Sequence, residues 1–191
     1  MALGFVRPAV PDDSVEIARL QLVTWRHAYR RILPRPALEN LDEGWMTDRW
    51  RDAIEDPPTP RHRVLVAIEQ AEQAYLVGFA ATGEVDEAAL APDEDHSSML
   101  RPDLASVTDL LVEPRWGRRG HGSRLLAASV DLWREDGFTT ALAWAFEADQ
   151  AMRAFLASAG WEPDGATRAL DIEDLHIPQL RLHTTLTPPP T

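Results

Sequence analysis

The chain has 191 residues, about one domain's worth, and its 45% hydrophobic and 26% charged content is that of a folded globular protein, which excludes disorder of the whole chain. It holds no cysteine and no lysine, so disulfides, thiolate metal sites, a cysteine nucleophile, a Walker-type phosphate loop, a Schiff base and a lysine general base are all excluded. Against 19 arginines stand 31 acidic residues, a net charge of −12 whose whole excess lies in residues 64–191; no nucleic-acid partner is expected, and a cationic partner or plain solubility fits better.

No window approaches the roughly 18 apolar residues of a membrane helix. The segment from Met1 to Pro8 has neither the basic start nor the apolar run of a signal peptide, so a cytoplasmic location without membrane association is expected. A first strand is read at 3–9. Asp13 and Glu16 form a capping pair for a helix over 14–30, with Val15, Ala18, Leu22, Trp25 and Tyr29 along one stripe. Pro34 and Pro36 break it, a second helical region runs from Leu38 to Ile54, and Asp56 to Pro60 stop that one. Residues 64–68 and 75–81 read as buried hairpin strands. The polar stretch 84–103 lacks periodicity and is expected to be a mobile loop.

The second half is more regular. A strand over 107–112 leads through a glycine-rich turn, Gly117 to Gly122, into a helix bearing Leu125, Leu126, Val130, Leu132 and Trp133, which Gly137 ends. Residues 139–146 alternate as a strand does, 149–159 read as a helix, and two strands are expected near 166–172 and 180–186. The reading is one domain over 1–187 with a frayed proline-rich tail at 188–191. Trp25, Trp45, Trp50, Trp133, Trp144 and Trp161 are expected mostly in the core, with Trp25 and Tyr29 also within reach of a cleft.

Strand, glycine-rich turn and helix together make a phosphate-binding device: glycines let the backbone approach a ligand, and a helix start offers free N–H groups and a positive dipole end. Arg118, Arg119 and Arg124 add charge and favour a pyrophosphate. The alternatives are a tight turn with solvated arginines, or a site for another nucleotide. A dinucleotide fingerprint fits poorly, because Leu125 stands where its third glycine would be.

Residues 112–126, from Val112 through Gly117-Arg118-Arg119-Gly120-His121-Gly122-Ser123 to Leu126, resemble the acyl-CoA-binding segment of the GNAT superfamily of N-acetyltransferases. Residues 149–165, with Gly160-Trp161, resemble that family's next helix and its ending, and 24–34 are similar to the first helix of a bacterial subgroup. The resemblance implies an α/β fold with a mixed, splayed β-sheet flanked by helices, acetyl-CoA as cosubstrate, and direct attack by an amine acceptor. It implies that Leu110, Leu111 and Val112 pair with the pantetheine arm, that Arg118, Arg119, Gly120, His121, Gly122 and Ser123 hold the pyrophosphate, and that Asp149 and Phe155 complete the cofactor site. A homodimer is common in such proteins.

Four positions depart from the family pattern. Gly117 replaces a Gln or Arg, Asp149 and Leu156 replace an Asn and a proton-donating Tyr, and Ser106 replaces a Glu. Asp109, a carboxylate unusual inside a strand, is therefore the leading candidate for a general base, with a strand residue paired to an arginine as the alternative. Glu84, at the end of the third strand, is the second candidate and Glu147 the third. His121 is expected to be solvent-exposed, and the six histidines show no metal-ligand spacing, so no metal is expected. The expected activity is acetyl transfer to a primary amine, of a small cationic molecule or of a peptide. The alternative is an inactive acyl-CoA-binding sensor.

Overall fold

A computed structural model describes residues 4–95 and 101–186. Strand β1 (Phe5–Pro8) leads into helix α1 (Ser14–Ala28), then α2 (Arg35–Glu39) and α3 (Glu43–Glu55). Strands β2 (Arg63–Gln70), β3 (Ala74–Glu84) and β4 (Leu104–Val112) follow, then α4 (His121–Glu135), β5 (Thr140–Phe146), α5 (Gln150–Ser158), β6 (Glu162–Ile172) and β7 (Leu175–Thr185). The strands form one sheet in the order β1-β2-β3-β4-β5-β7-β6, antiparallel except between β4 and β5. This is the mixed α/β sheet flanked by helices that the resemblance implies.

Both faces of the sheet are covered, so the central strands are near-continuous apolar runs. Alternation along β2 sends Leu65 and Ala67 to one layer and Val66 and Ile68 to the other. The first layer holds Leu125, Leu126 and Trp133 of α4, with Trp161 set edge-on to Trp133 at 6.5 Å. The second holds Ile17 and Leu20 of α1 and Met46 and Trp50 of α3, where Trp50 meets Phe79 edge-on at 4.9 Å.

Several local expectations are corrected. Asp13 does not cap α1; its carboxylate is taken by Arg7 of β1 at 2.7 and 2.9 Å and by the Val10 N–H at 2.8 Å, while Glu16 pairs with Arg19. Of the stripe expected on α1, Ala18 and Leu22 are buried, together with Ile17, Leu20, Gln21 and Thr24, whereas Val15 is 53% exposed. Trp45 is 61% exposed and lies outside the core, and Arg49 stands over its ring at 5.5 Å.

The polar stretch is anchored where it is described. Val85, Ala89 and Leu90 bury against Leu104 and Leu142, the Trp144 indole donates to the Ala89 carbonyl at 2.9 Å, and Arg181 pairs with Glu94. Residues 96–100 of that expected loop, and the tail at 188–191, lie outside the described residues. Among the described residues no helix is long and apolar enough to cross a membrane.

Two irregularities shape the middle of the sheet. Opposite β3 the register of β4 shifts, so that Val107 faces Thr82 and Asp109 faces Ala81, leaving Thr108 as the extra residue of a bulge. The pairing of β4 with β5 covers only Leu104 to Val107 against Thr140 to Ala143; beyond that the two strands part.

Candidate active site

The parting of β4 from β5 leaves a strand edge inside the molecule. The Glu113 N–H donates to the Val77 carbonyl at 2.9 Å, and successive residues of a strand alternate the side to which their N–H and C=O point. Leu111 and Asp109 therefore bond towards β3, whereas Leu110 and Val112 turn their N–H and C=O towards the gap. Such an edge can pair with an extended chain carrying amides. Two cavities follow it, an outer one of about 380 Å³ and an inner one of about 200 Å³, and Tyr29, Leu110, Leu111, Asp149 and Met152 line both.

The outer cavity ends at the glycine-rich turn. Gly120 takes φ +81° to start α4, and Arg118 sits at φ +61°, a left-handed conformation that a non-glycine side chain disfavours. The first intrahelical bond runs from the Arg124 N–H to the Gly120 carbonyl at 3.0 Å, so the N–H groups of His121, Gly122 and Ser123 have no partner within the helix. Arg118 and Arg119 are exposed beside them, Arg119 stacked over Trp116 at 4.9 Å. Free amides, a dipole end and two guanidiniums fit a pyrophosphate.

His121 is a correction: it is 1% exposed rather than solvated. Its ring turns under the loop to Arg124, with Nδ1 3.1 Å from Nη2, while Nε2 lies 3.1 Å from a carboxylate oxygen of buried Glu69, close enough for an ion pair though not aligned as a hydrogen bond. Burial, and then the Arg124 charge, push the imidazole below its usual range despite Glu69. Arg124 also donates to the Arg119 carbonyl at 3.2 Å. His121 reaches the cavity through its backbone and steadies the loop through its side chain.

The inner cavity is where the sequence candidates separate. Asp109 is half-buried and lines both this cavity and a third, of about 180 Å³, on the α3 side. The alternative reading of an arginine-paired strand residue is not what forms. The carboxylate accepts from the Gln21 amide at 3.3 Å, whose own oxygen accepts from the buried Trp50 indole at 2.7 Å. Burial raises the Asp109 pKa to about 7, with only the Arg49 charge opposing.

Asp149 lines both main cavities but spends one carboxylate oxygen as the cap of α5, accepting from the Met152 N–H at 3.0 Å. Phe155 lines the outer cavity, and Leu156 is buried at the wall of the inner one. Glu84 is not brought to the cleft: it lines none of these three cavities and accepts from Arg61 at 3.0 Å. Glu147 is exposed and likewise lines none of them. Gln21 and Trp50 went unnoticed in the sequence as site residues; a glutamine on the apolar face of α1 was the available signal. Tyr29 is placed more centrally than its helix stripe suggested. Its hydroxyl has no hydrogen-bond partner among the described residues, and burial, reinforced by Asp149 and Asp109, raises its pKa. Among the described residues no group of three or more histidines and carboxylates is arranged to hold a metal ion.

The geometry agrees with what the sequence matches. YuaI of Bacillus subtilis (strain 168), an uncharacterised N-acetyltransferase, is 27% identical over 142 residues, 74% of this chain and 71% of its own. Two solved structures share the fold. The protein yncA of Salmonella typhimurium, solved with its cofactor acetyl-CoA, is 16% identical with a TM-score of 0.66, over 96% of this chain and 94% of that one. The PaiA N-acetyltransferase of Thermoplasma acidophilum, in complex with coenzyme A, is 13% identical with a TM-score of 0.68, over 96% and 99%. The model of the acetyltransferase (GNAT) family matches residues 22–161, a span that runs from α1 through the parted strands and the glycine-rich turn to Trp161, and the chain belongs to that family.

Proposed function

We propose that the protein transfers an acetyl group from acetyl-CoA to the primary amine of a small cationic molecule. The observation that carries this reading is the unpaired edge of β4 inside a cleft whose outer end is the glycine-rich turn and whose inner end holds the Asp109 carboxyl. When bound, acetyl-CoA supplies an acetyl group activated as a thioester and open to direct attack by a neutral amine. Leu110 and Val112 would hold the pantetheine arm by their backbone groups, and the turn from Arg118 to Ser123 would hold the pyrophosphate. Phe155 would close one side of that path.

An ammonium ion has no lone pair, so the acceptor must first lose a proton. Asp109, poised near neutrality and reached from the inner cavity, accepts it. The third cavity gives that proton a route away from the acetyl group. Leu156 cannot donate a proton. Tyr29, held protonated where the two main cavities meet, is available to donate one to a departing thiolate.

Calorimetric titration with acetyl-CoA, followed by thiol release from the same sample with a panel of amines, tests this. Binding with saturable release supports the transferase. Binding without release from any amine would favour the acyl-CoA sensor, a reading for which Leu156 in the cavity wall speaks.

A further inference from the structure

The inner cavity sets limits on the acceptor that go beyond its being an amine. Trp25, Tyr29 and Phe146 form a run of ring contacts along its wall, 6.2 Å between the first two centroids and 5.0 Å, edge-on, between the last two. Leu170 of β6 adds an aliphatic surface. Among the described residues no arginine or histidine lines the cavity; its charged residues are Asp109 and Asp149, and Asp149 already caps α5. Beyond the lining, Arg168 and Arg181 lie 4.2 and 5.5 Å from the Trp144 ring. Arg181 is neutralised by Glu94 and Asp164, whereas the hydrogen bonds of Arg168 among the described residues go to neutral oxygens, on Gln179 and Ala88.

We infer that the acceptor is a primary monoamine with an aromatic or aliphatic body and no second charged group; this rests on the transferase reading. One ammonium meets the Asp109 carboxylate, the free Tyr29 hydroxyl and aromatic faces that attract a cation. A carboxylate on the acceptor would meet two acidic side chains and no cation. A second ammonium, extended towards Trp144, would approach the guanidinium of Arg168, on which the Asp86 charge acts without an ion pair among the described residues. The apolar body lies against Phe146 and Leu170. The cavity of about 200 Å³ must also admit the acetyl end of the donor, which keeps that body small.

Matched amines test each limit in the holoenzyme. Phenethylamine against phenylalanine isolates the carboxylate, and hexylamine against hexamethylenediamine isolates the second ammonium. The monoamine of each pair is expected to exceed its partner in kcat/KM by about tenfold or more, because a buried charge without a partner is worth at least that. Phenethyltrimethylammonium, which has no proton to lose and no nucleophilic nitrogen, reads occupancy apart from turnover. It is expected to bind the CoA-saturated protein in calorimetry, and Phe146→Leu is expected to weaken that binding several-fold while leaving CoA affinity unchanged. Preference for the amino acid, the diamine or a peptide amino terminus overturns the inference and leaves the transferase standing. Binding of the quaternary ion with no amine turned over supports the inferred occupant and overturns the transferase instead. Failure of the quaternary ion to bind overturns the inference outright.

Discussion

Two titratable side chains, one buried and one half-buried, flank the cleft on opposite faces of the sheet, and desolvation pushes both towards their neutral forms. His121, under the glycine-rich turn, is compensated within the protein: Arg124 on one ring nitrogen, Glu69 near the other. Asp109, on the bulge of β4, is hydrogen-bonded by the neutral amide of Gln21, feels the Arg49 charge without an ion pair, and opens into cavities. The difference separates an anchor from a reactive group. A cluster that balances its own charge has nothing to ask of a ligand and fixes the backbone around it. A carboxyl without an ion pair, at a pKa of about 7 and lining two cavities, is poised to exchange a proton near neutrality.

The strongest way to break this comparison is Asp109→Asn. The expected loss is about 10²–10⁴-fold in kcat with acetyl-CoA affinity unchanged, read by thiol release and calorimetry. In the wild type, kcat/KM should rise with pH on a limb centred near 7, as the carboxylate form appears. Stability should move the opposite way. A carboxyl whose folded pKa is raised binds more protons folded than unfolded, so its contribution is fully present below about pH 4 and is lost as pH rises through 7. Asp109→Asn should therefore match the wild type in melting at pH 4 and exceed it at pH 8, by on the order of 1–4 kcal/mol. An inactive variant that is more stable is a result that general damage to the fold would not produce.

On the other face, His121→Leu should do the reverse. Removing the imidazole strands the buried Glu69 carboxylate and frees Arg124 from one of its contacts, at a cost of about 1–3 kcal/mol in stability. The turn that Arg124 holds through the Arg119 carbonyl should loosen. The expected signature is a several-fold rise in KM for acetyl-CoA with kcat at saturation nearly unchanged. A matching fall in kcat would mean that His121 acts on the reacting atoms and that the two faces are not distinct in role.

How much of this could be read from the chain alone follows from the same distinction. The strand-turn-helix unit was legible because its requirements are local: glycine where φ is positive, free N–H groups at a helix start, apolar alternation on either side. Asp109 was legible as an anomaly, a carboxylate where a strand expects an apolar residue. What failed depended on partners distant in sequence. Nothing near His121 announces that Glu69 of β2 lies beneath it, and nothing near Asp13 announces that Arg7 will claim its carboxylate ahead of the helix. The stripe expected on α1 is buried at Ala18 and Leu22 but exposed at Val15, because packing against α3 and the sheet selects Ile17, Gln21 and Thr24 in its place.

A finer cut tests the neutral support of Asp109. Gln21→Leu removes the amide that favours the ionised carboxylate and leaves the Trp50 indole without its acceptor. The acid limb of kcat/KM should move up by up to about one pH unit, because a hydrogen bond to the charged form is lost. Activity well above that limb should return to within a few-fold of the wild type, and stability should fall by about 1 kcal/mol from the orphaned indole. A uniform loss of activity at every pH would assign Gln21 to packing alone.

The smallest expected effect belongs to the second carboxylate that the sequence offered. Glu84 stands at the end of β3, paired at 3.0 Å with Arg61, both side chains about one-third exposed at 33% and 32%. Arg61 does not depend on it. The guanidinium also donates to the carbonyls of Pro102 and Asp136 at 3.0 and 2.9 Å and lies 4.7 Å from the Phe138 ring centroid. Glu84→Gln therefore removes one solvent-screened ion pair from a side chain held in three other ways. The change should be about 0.5 kcal/mol or less in stability and within about twofold in kcat/KM, with the midpoint of the acid limb unmoved. That midpoint is the decisive reading. If it shifted in Glu84→Gln and stayed fixed in Gln21→Leu, the proton would be passing through Glu84, and the uncompensated carboxyl on β4 would lose its claim to be the base.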